Sequence, residues 1–111
     1  LQYWGGACAV TGIALPEVLR ASHARPWAEC ASDAERLDVF NGLLLVAHLD
    51  ALFDRFLISF DDAGRILIAQ RVSDEDRQRL GLTASLALRW LTDEHRAYLA
   101  WHRGRWEQGN S

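Results

Sequence analysis

The sequence predicts a small α+β fold, and three observations carry that prediction. Short apolar runs bounded by turn residues read as strands. The apolar period changes to three and four residues after Ala47. Two late segments open with helix-capping residues, Ser73 and Thr92. At 111 residues the chain fits one domain with a single core.

Taken in order, Gly5-Gly6 and Thr11-Gly12 bracket the apolar run Ala7 to Val10, which reads as a strand between turns. Pro16 to Ala24 carries Val18, Leu19 and Ala21 and reads as a second strand that ends near His23, because Pro26 biases Arg25 toward extended backbone. Glu29 to Val39 has no clear apolar period and reads as a loop with one helical turn. Asn41-Gly42 marks a turn before the run Leu43 to Val46. Leu49, Leu52, Phe53 and Phe56 then recur at helical spacing. Leu57 to Phe60 and Arg65 to Ala69 flank Asp61-Asp62-Ala63-Gly64, a hairpin signal. Ser73 with Asp76 three positions later resembles a capping box for a helix that stops near Gly81. Thr92 caps a last helix on which Leu91, His95, Leu99 and His102 fall three or four residues apart.

Composition narrows the function classes. Half of the residues are apolar and about a quarter charged, which excludes disorder as the default reading. No apolar run approaches the ~20 residues of a bilayer span, and no leader resembles a signal peptide, so the expected compartment is cytoplasmic and no membrane partner is expected. The chain opens on Leu1 and runs at once into Tyr3-Trp4, so it is expected to be a single domain, 1–111, from the C-terminal part of a larger protein. Cys8 and Cys30 are too few and too far apart for a zinc knuckle and read as buried small side chains. Trp4, Trp27, Trp90, Trp101 and Trp106 are candidates for packing. The net charge of −3 exerts no global pull toward nucleic acid. All 12 basic residues are arginine, which suits bidentate phosphate contacts, although codon bias explains the same fact.

Three polar landmarks stand against apolar neighbours: His23, Asn41, and the segment His48 to Asp54. Hydrolysis of a phosphodiester with one metal ion needs a base, a group that orients it, and hard ligands. Imidazole as a class titrates near neutral pH, so a histidine at a strand end can accept a proton from water. The amide of Asn41 can fix that ring or contact a phosphate. Asp50 and Asp54 lie four residues apart on the expected helix and share a face. Oxygen ligands favour Mg²⁺, Mn²⁺ or Ca²⁺, and an imidazole from His48 would admit Zn²⁺ or Ni²⁺. Singly, each landmark also has a structural reading: a hydrogen-bonded core histidine, a turn, and the solvated face of an amphipathic helix.

As an ordered set they resemble the HNH endonuclease family, in its restriction-enzyme branch. The matching stretches are Cys8-Ala9-Val10-Thr11-Gly12, Ala21 to Trp27 around His23, Asn41-Gly42-Leu43-Leu44-Leu45 followed by His48 to Asp54, the hairpin Leu57 to Ala69, and Glu94 to Arg103. The resemblance implies a ββα-metal core with an added hairpin and C-terminal helices, the ion held between the second strand and the helix. It makes His23 the general base and Asn41 the middle letter. The helix ligand lies nine positions after the asparagine in many members, which is Asp50 here, with Asp54 four later; His48 falls at seven, as a secondary ligand or phosphate contact. Ser22 departs from the Asp or His that many members place before the base, and cysteine pairs for zinc are missing. Arg25, Arg55, Arg96, Arg103 and Arg105 are general phosphate candidates, and His95 and His102 read as packing residues.

The leading expectation is therefore a Mg²⁺-dependent DNA endonuclease, with Mn²⁺, Ni²⁺ or Zn²⁺ as alternatives, acting as the catalytic module of a restriction or defence enzyme and dimeric in its full-length form. The alternative is a non-catalytic domain of the same fold that binds nucleic acid or protein. A delivered toxin nuclease is a third reading that gene context would settle.

Overall fold

Leu43, Leu44, Leu45 and Val46 have no polar alternate position, and a strand with that pattern must be covered on both faces. The computed structural model, which describes residues 2–109 apart from the side chains of Gln2 and Trp27, shows how this is done. Leu19–His23 (β1) pairs antiparallel with Gly42–Val46 (β2), Ser22 opposite Leu43 and His23 opposite Gly42. Every residue of β2 is buried. Asp33–Leu37 (α1) lies in the connection, capped by the Ser32 hydroxyl accepting from the Glu35 N–H. Ala47–Asp54 (α2) leaves β2 directly and lies against β1, burying Leu49, Leu52 and Phe53. These three elements form the expected ββα unit.

The end of α2 departs from simple expectation. Phe56 has φ +59°, the left-handed position usually given to glycine, and the Phe56 and Leu57 N–H groups bond back to the carbonyls of Phe53 (3.1 Å) and Leu52 (2.9 Å) in a Schellman arrangement. Its ring packs against His102, centroids 4.6 Å apart, which offsets the backbone strain. Ile58–Phe60 (β3) and Ile66–Ile68 (β4) form the second hairpin. Its turn is organised by Asp61, whose Oδ1 accepts from the N–H groups of Ala63 and Arg65, both at 2.9 Å. Asp74–Arg79 (α3) is capped by Ser73 accepting from Asp76 N–H, as its sequence predicts, and stops at Gly81. Asp93–Gly109 (α4) packs on β3 and on the turn that precedes β2.

One expected strand is absent. Ala7 to Val10 is a turn, wound by Gly5, Gly6 and Gly12 at positive φ. Its residues are apolar because Cys8 and Ala9 are buried against the edge of β2, where Ala9 N–H reaches the Leu44 carbonyl at 2.7 Å. Arg89 takes up the carbonyls that a sheet would have used, donating to Cys8 (2.8 Å), Trp4 (2.9 Å) and Ala7 (3.0 Å). The 16–24 segment likewise begins as a 3-10 turn at Pro16–Val18 and becomes strand only at Leu19. Cys8 and Cys30 are buried free thiols. Trp4 is buried, donates to the Gly42 carbonyl (3.1 Å) and stacks on Trp90. The packing role expected of Trp27 lies outside the described residues.

Candidate active site

Strand alternation sends Arg20 and Ser22 to the same face of β1 as their partners Leu45 and Leu43, and α2 covers that face at Ser22 while Arg20 stays exposed. Ser22 is buried, and its hydroxyl donates to Oδ1 of Asp50. The expected helix ligand therefore meets the first strand. β2 has only Leu43 and Leu45 on that face, so the polar meeting point lies between β1 and α2. Asp54 follows Asp50 by one turn and is exposed. His48 is also exposed, but residues two apart on a helix diverge by roughly 200°. Asp50 and Asp54 share a flank of α2, and His48 leaves from another.

His23 ends β1, half-buried, with Nε2 3.2 Å from the carbonyl of Arg36. A carbonyl can only accept, so this contact places the proton on Nε2; a neutral ring so held carries its lone pair on Nδ1. Arg36 stands at the end of α1, and α1 is fixed by Asn41. That side chain is fully buried: Oδ1 accepts from Arg25 N–H (2.7 Å), and Nδ2 donates to the carbonyls of Arg25 and Glu35, both at 3.2 Å. Asn41 thus clamps the chain just after His23 to the residue just before Arg36. Sequence reasoning singled out the asparagine but could not see these partners, which are backbone atoms 16 and 6 residues away. Asp38 adds a second tie, accepting from Phe40 N–H and from the Tyr98 hydroxyl (2.8 Å); burial and that carboxylate push the Tyr98 phenol up to about 12. Beside His23 lies a cavity of about 430 Å³ bordered by Tyr3, Trp4, Leu37 and Val39.

No three His, Cys, Asp or Glu side chains stand together as a ready metal cluster among the described residues. The donors that do share a face are the Asp50 and Asp54 carboxylates, with the Ser22 hydroxyl on Asp50. One or two carboxylates suffice for Mg²⁺, which keeps several waters and takes the rest of its shell from substrate phosphate. The set therefore fits a hard cation and does not make a closed zinc site.

Of the arginines named as phosphate candidates, Arg25, Arg96, Arg103 and Arg105 are each paired with a carboxylate, on Glu35, Asp93, Asp62 and Glu29 respectively. His95 and His102 are both buried. His102 is held at both nitrogens, by the Ser59 hydroxyl at Nδ1 (2.8 Å) and the Phe53 carbonyl at Nε2 (2.7 Å), and stacks on the Phe53 ring. His95 accepts at Nδ1 from Thr92 N–H (2.9 Å), so it caps its own helix, and its ring sits among Tyr3, Trp4 and Phe40.

Two antiparallel strands crossed by a helix, with a histidine at the first strand's end and a helix carboxylate reaching the residue before it, define a ββα nuclease-type domain. Residues 8–61 match the HNH endonuclease family, and this segment of the chain belongs to it. The match contains His23, Asn41, His48, Asp50 and Asp54. No curated protein matches the chain.

Proposed function

We propose that this protein is a divalent-metal-dependent endonuclease that hydrolyses DNA, serving as the catalytic domain of a restriction or defence enzyme. The observation that carries the reading is the His23 Nε2 contact with the Arg36 carbonyl. It sets the tautomer in which Nδ1 can take a proton from an attacking water, the step a general base must perform. His23 is the catalytic base. Asn41 is a positioning residue, because it acts on His23 through the 25–36 segment. Asp50 and Asp54 would hold the ion, with Ser22 beside Asp50, and His48, on another flank of α2, would stand outside that set. Bound there, a hard cation supplies electrostatic stabilisation of the charge that develops on phosphate oxygens. Mg²⁺ is the proposed ion, because the donors are oxygens.

Plasmid cleavage with Mg²⁺, Mn²⁺ or Ni²⁺, and with chelator, tests the reading beside a folded His23→Ala variant. Metal-dependent nicking that falls by 10²-fold or more in the variant supports it. No cleavage of modified or unmodified DNA with any of these ions overturns it in favour of a binding domain. That second reading draws support from Ser22, which stands where many family members carry an Asp or His.

A further inference from the structure

A phosphodiester approaching Asp50 and Asp54 meets two carboxylates on a protein of net charge −3. Positive charge beyond that of one ion must come from the chain, and the twelve arginines can be sorted by what already occupies them. Seven are paired with carboxylates: Arg25, Arg36, Arg65, Arg79, Arg96, Arg103 and Arg105. Arg77 and Arg89 are bound to backbone carbonyls inside the fold, Arg77 to Val72 and Ala69, Arg89 to the N-terminal turn. Among the described residues, three remain with no carboxylate within ion-pair distance: Arg20, Arg55 and Arg71.

Position separates these three. Arg71 borders the groove between Leu52 and Val72, and Leu52 points some 160° away from Asp50 around α2. Arg55 follows Asp54 directly and leaves α2 on the flank of His48, seven residues earlier. Arg20 lies two residues before Ser22, on the same face of β1, and is exposed. Two residues of strand span about 7 Å, close to the spacing of successive phosphates along a nucleic-acid strand and within reach of an arginine side chain. Its Nη1 donates to the carbonyls of Glu17 (3.4 Å) and Leu19 (2.9 Å). Those bonds orient the guanidinium without neutralising it, and they leave its remaining N–H groups for an anion.

We infer that Arg20 is a phosphate-binding residue of this site, contacting a backbone phosphate of the bound nucleic acid next to the one presented to His23 and Asp50. The inference rests on the nuclease reading above and adds a residue that the motif does not include. A contact of this kind is electrostatic and independent of base sequence, and it releases about one counterion.

The test is duplex-DNA binding by fluorescence anisotropy across a salt titration, in the His23→Ala background so that the duplex stays intact. Arg20→Gln is expected to reduce the slope of log K against log salt by about 0.9 and to weaken binding about tenfold at 0.1 M salt. Arg20→Lys should restore most of the slope, because the term is one of charge, and Arg71→Gln should leave it unchanged. If the parent binds and Arg20→Gln keeps the parental slope, or if Arg71→Gln lowers it equally, the assignment of Arg20 is overturned and the nuclease reading stands. If the parent binds no DNA at any salt concentration, both fall together.

Discussion

Replacing His102 with glutamine tests how the C-terminal helix is joined to the ββα unit. The imidazole is buried at 1% exposure, stacked on Phe53 with ring centroids 3.7 Å apart, and bonded at both nitrogens. Burial disfavours its charged form and brings its pKa down to about 4, against an ordinary 6.5, although the Phe53 carbonyl pulls the other way. The folded protein thus refuses a proton that the unfolded chain accepts between those values. Stability from this group is fully present above pH 6.5 and is lost as pH falls toward 4. A gap of this size corresponds to about 3 kcal/mol, a large share of a small domain's total. Glutamine keeps one donor for Phe53 O and one acceptor for the Ser59 hydroxyl but does not titrate. Urea unfolding followed by tryptophan fluorescence should find His102→Gln less stable at pH 7 by about 1 kcal/mol, the worth of the lost aromatic stack. Near pH 5 its stability should fall less steeply than wild type, by about 1.4 kcal/mol per pH unit, so that the deficit closes or reverses by pH 4. Parallel curves for the two proteins from pH 7 to pH 4 would refute the argument.

Asn41→Asp retains the acceptor for Arg25 N–H but turns a carboxylate oxygen on the carbonyls of Arg25 and Glu35 in a fully buried position. It should cost about 3 kcal/mol or more, read as a lowered urea midpoint at unchanged m. In metal-binding calorimetry, His48→Ala should leave affinity for Mg²⁺ or Mn²⁺ unchanged and Asp50→Ala should weaken it at least tenfold. His23→Ala should bind the ion normally while losing turnover, and a loss of affinity in His48→Ala would put an imidazole back among the ligands.

The ββα unit was legible because its signals are local. Leu43 to Val46 is a continuous apolar run, the period changes at Ala47, and Asn41, Asp50 and Asp54 keep fixed spacings. The hairpin and the Ser73 cap were legible for the same reason. Ala7 to Val10 was misread because burial makes a turn as apolar as a strand, and only Arg89, some eighty residues on, reveals where its carbonyls go. Arg20 was passed over because its distinction is negative. It emerges only when tertiary pairs such as Arg103 with Asp62 and Arg105 with Glu29 remove the other candidates. The approach of Ser22 to Asp50 was likewise out of reach, since it depends on the path of α2 back along β1.

The geometry of His23 depends on residues well beyond the matched segment. Its Nε2 is held by a carbonyl at the end of α1, a helix of five residues with none buried, so packing within α1 cannot fix that carbonyl. Asn41 fixes it from the β2 side, and Asp38 from the other, through the Tyr98 hydroxyl on α4. α4 is in turn seated on the ββα unit by His102, bonded to the end of α2 and to β3. A strand pair and one helix cannot bury enough surface to be stable alone. The hairpin and C-terminal helices therefore act as a frame, and the orientation of the base is set by its furthest member. A perturbation that loosens α4 should then reach His23 before it unfolds the strands, because the Tyr98 to Asp38 bond, like the His23 contact with Arg36, lies partly in solvent, whereas the two bonds of His102 are buried.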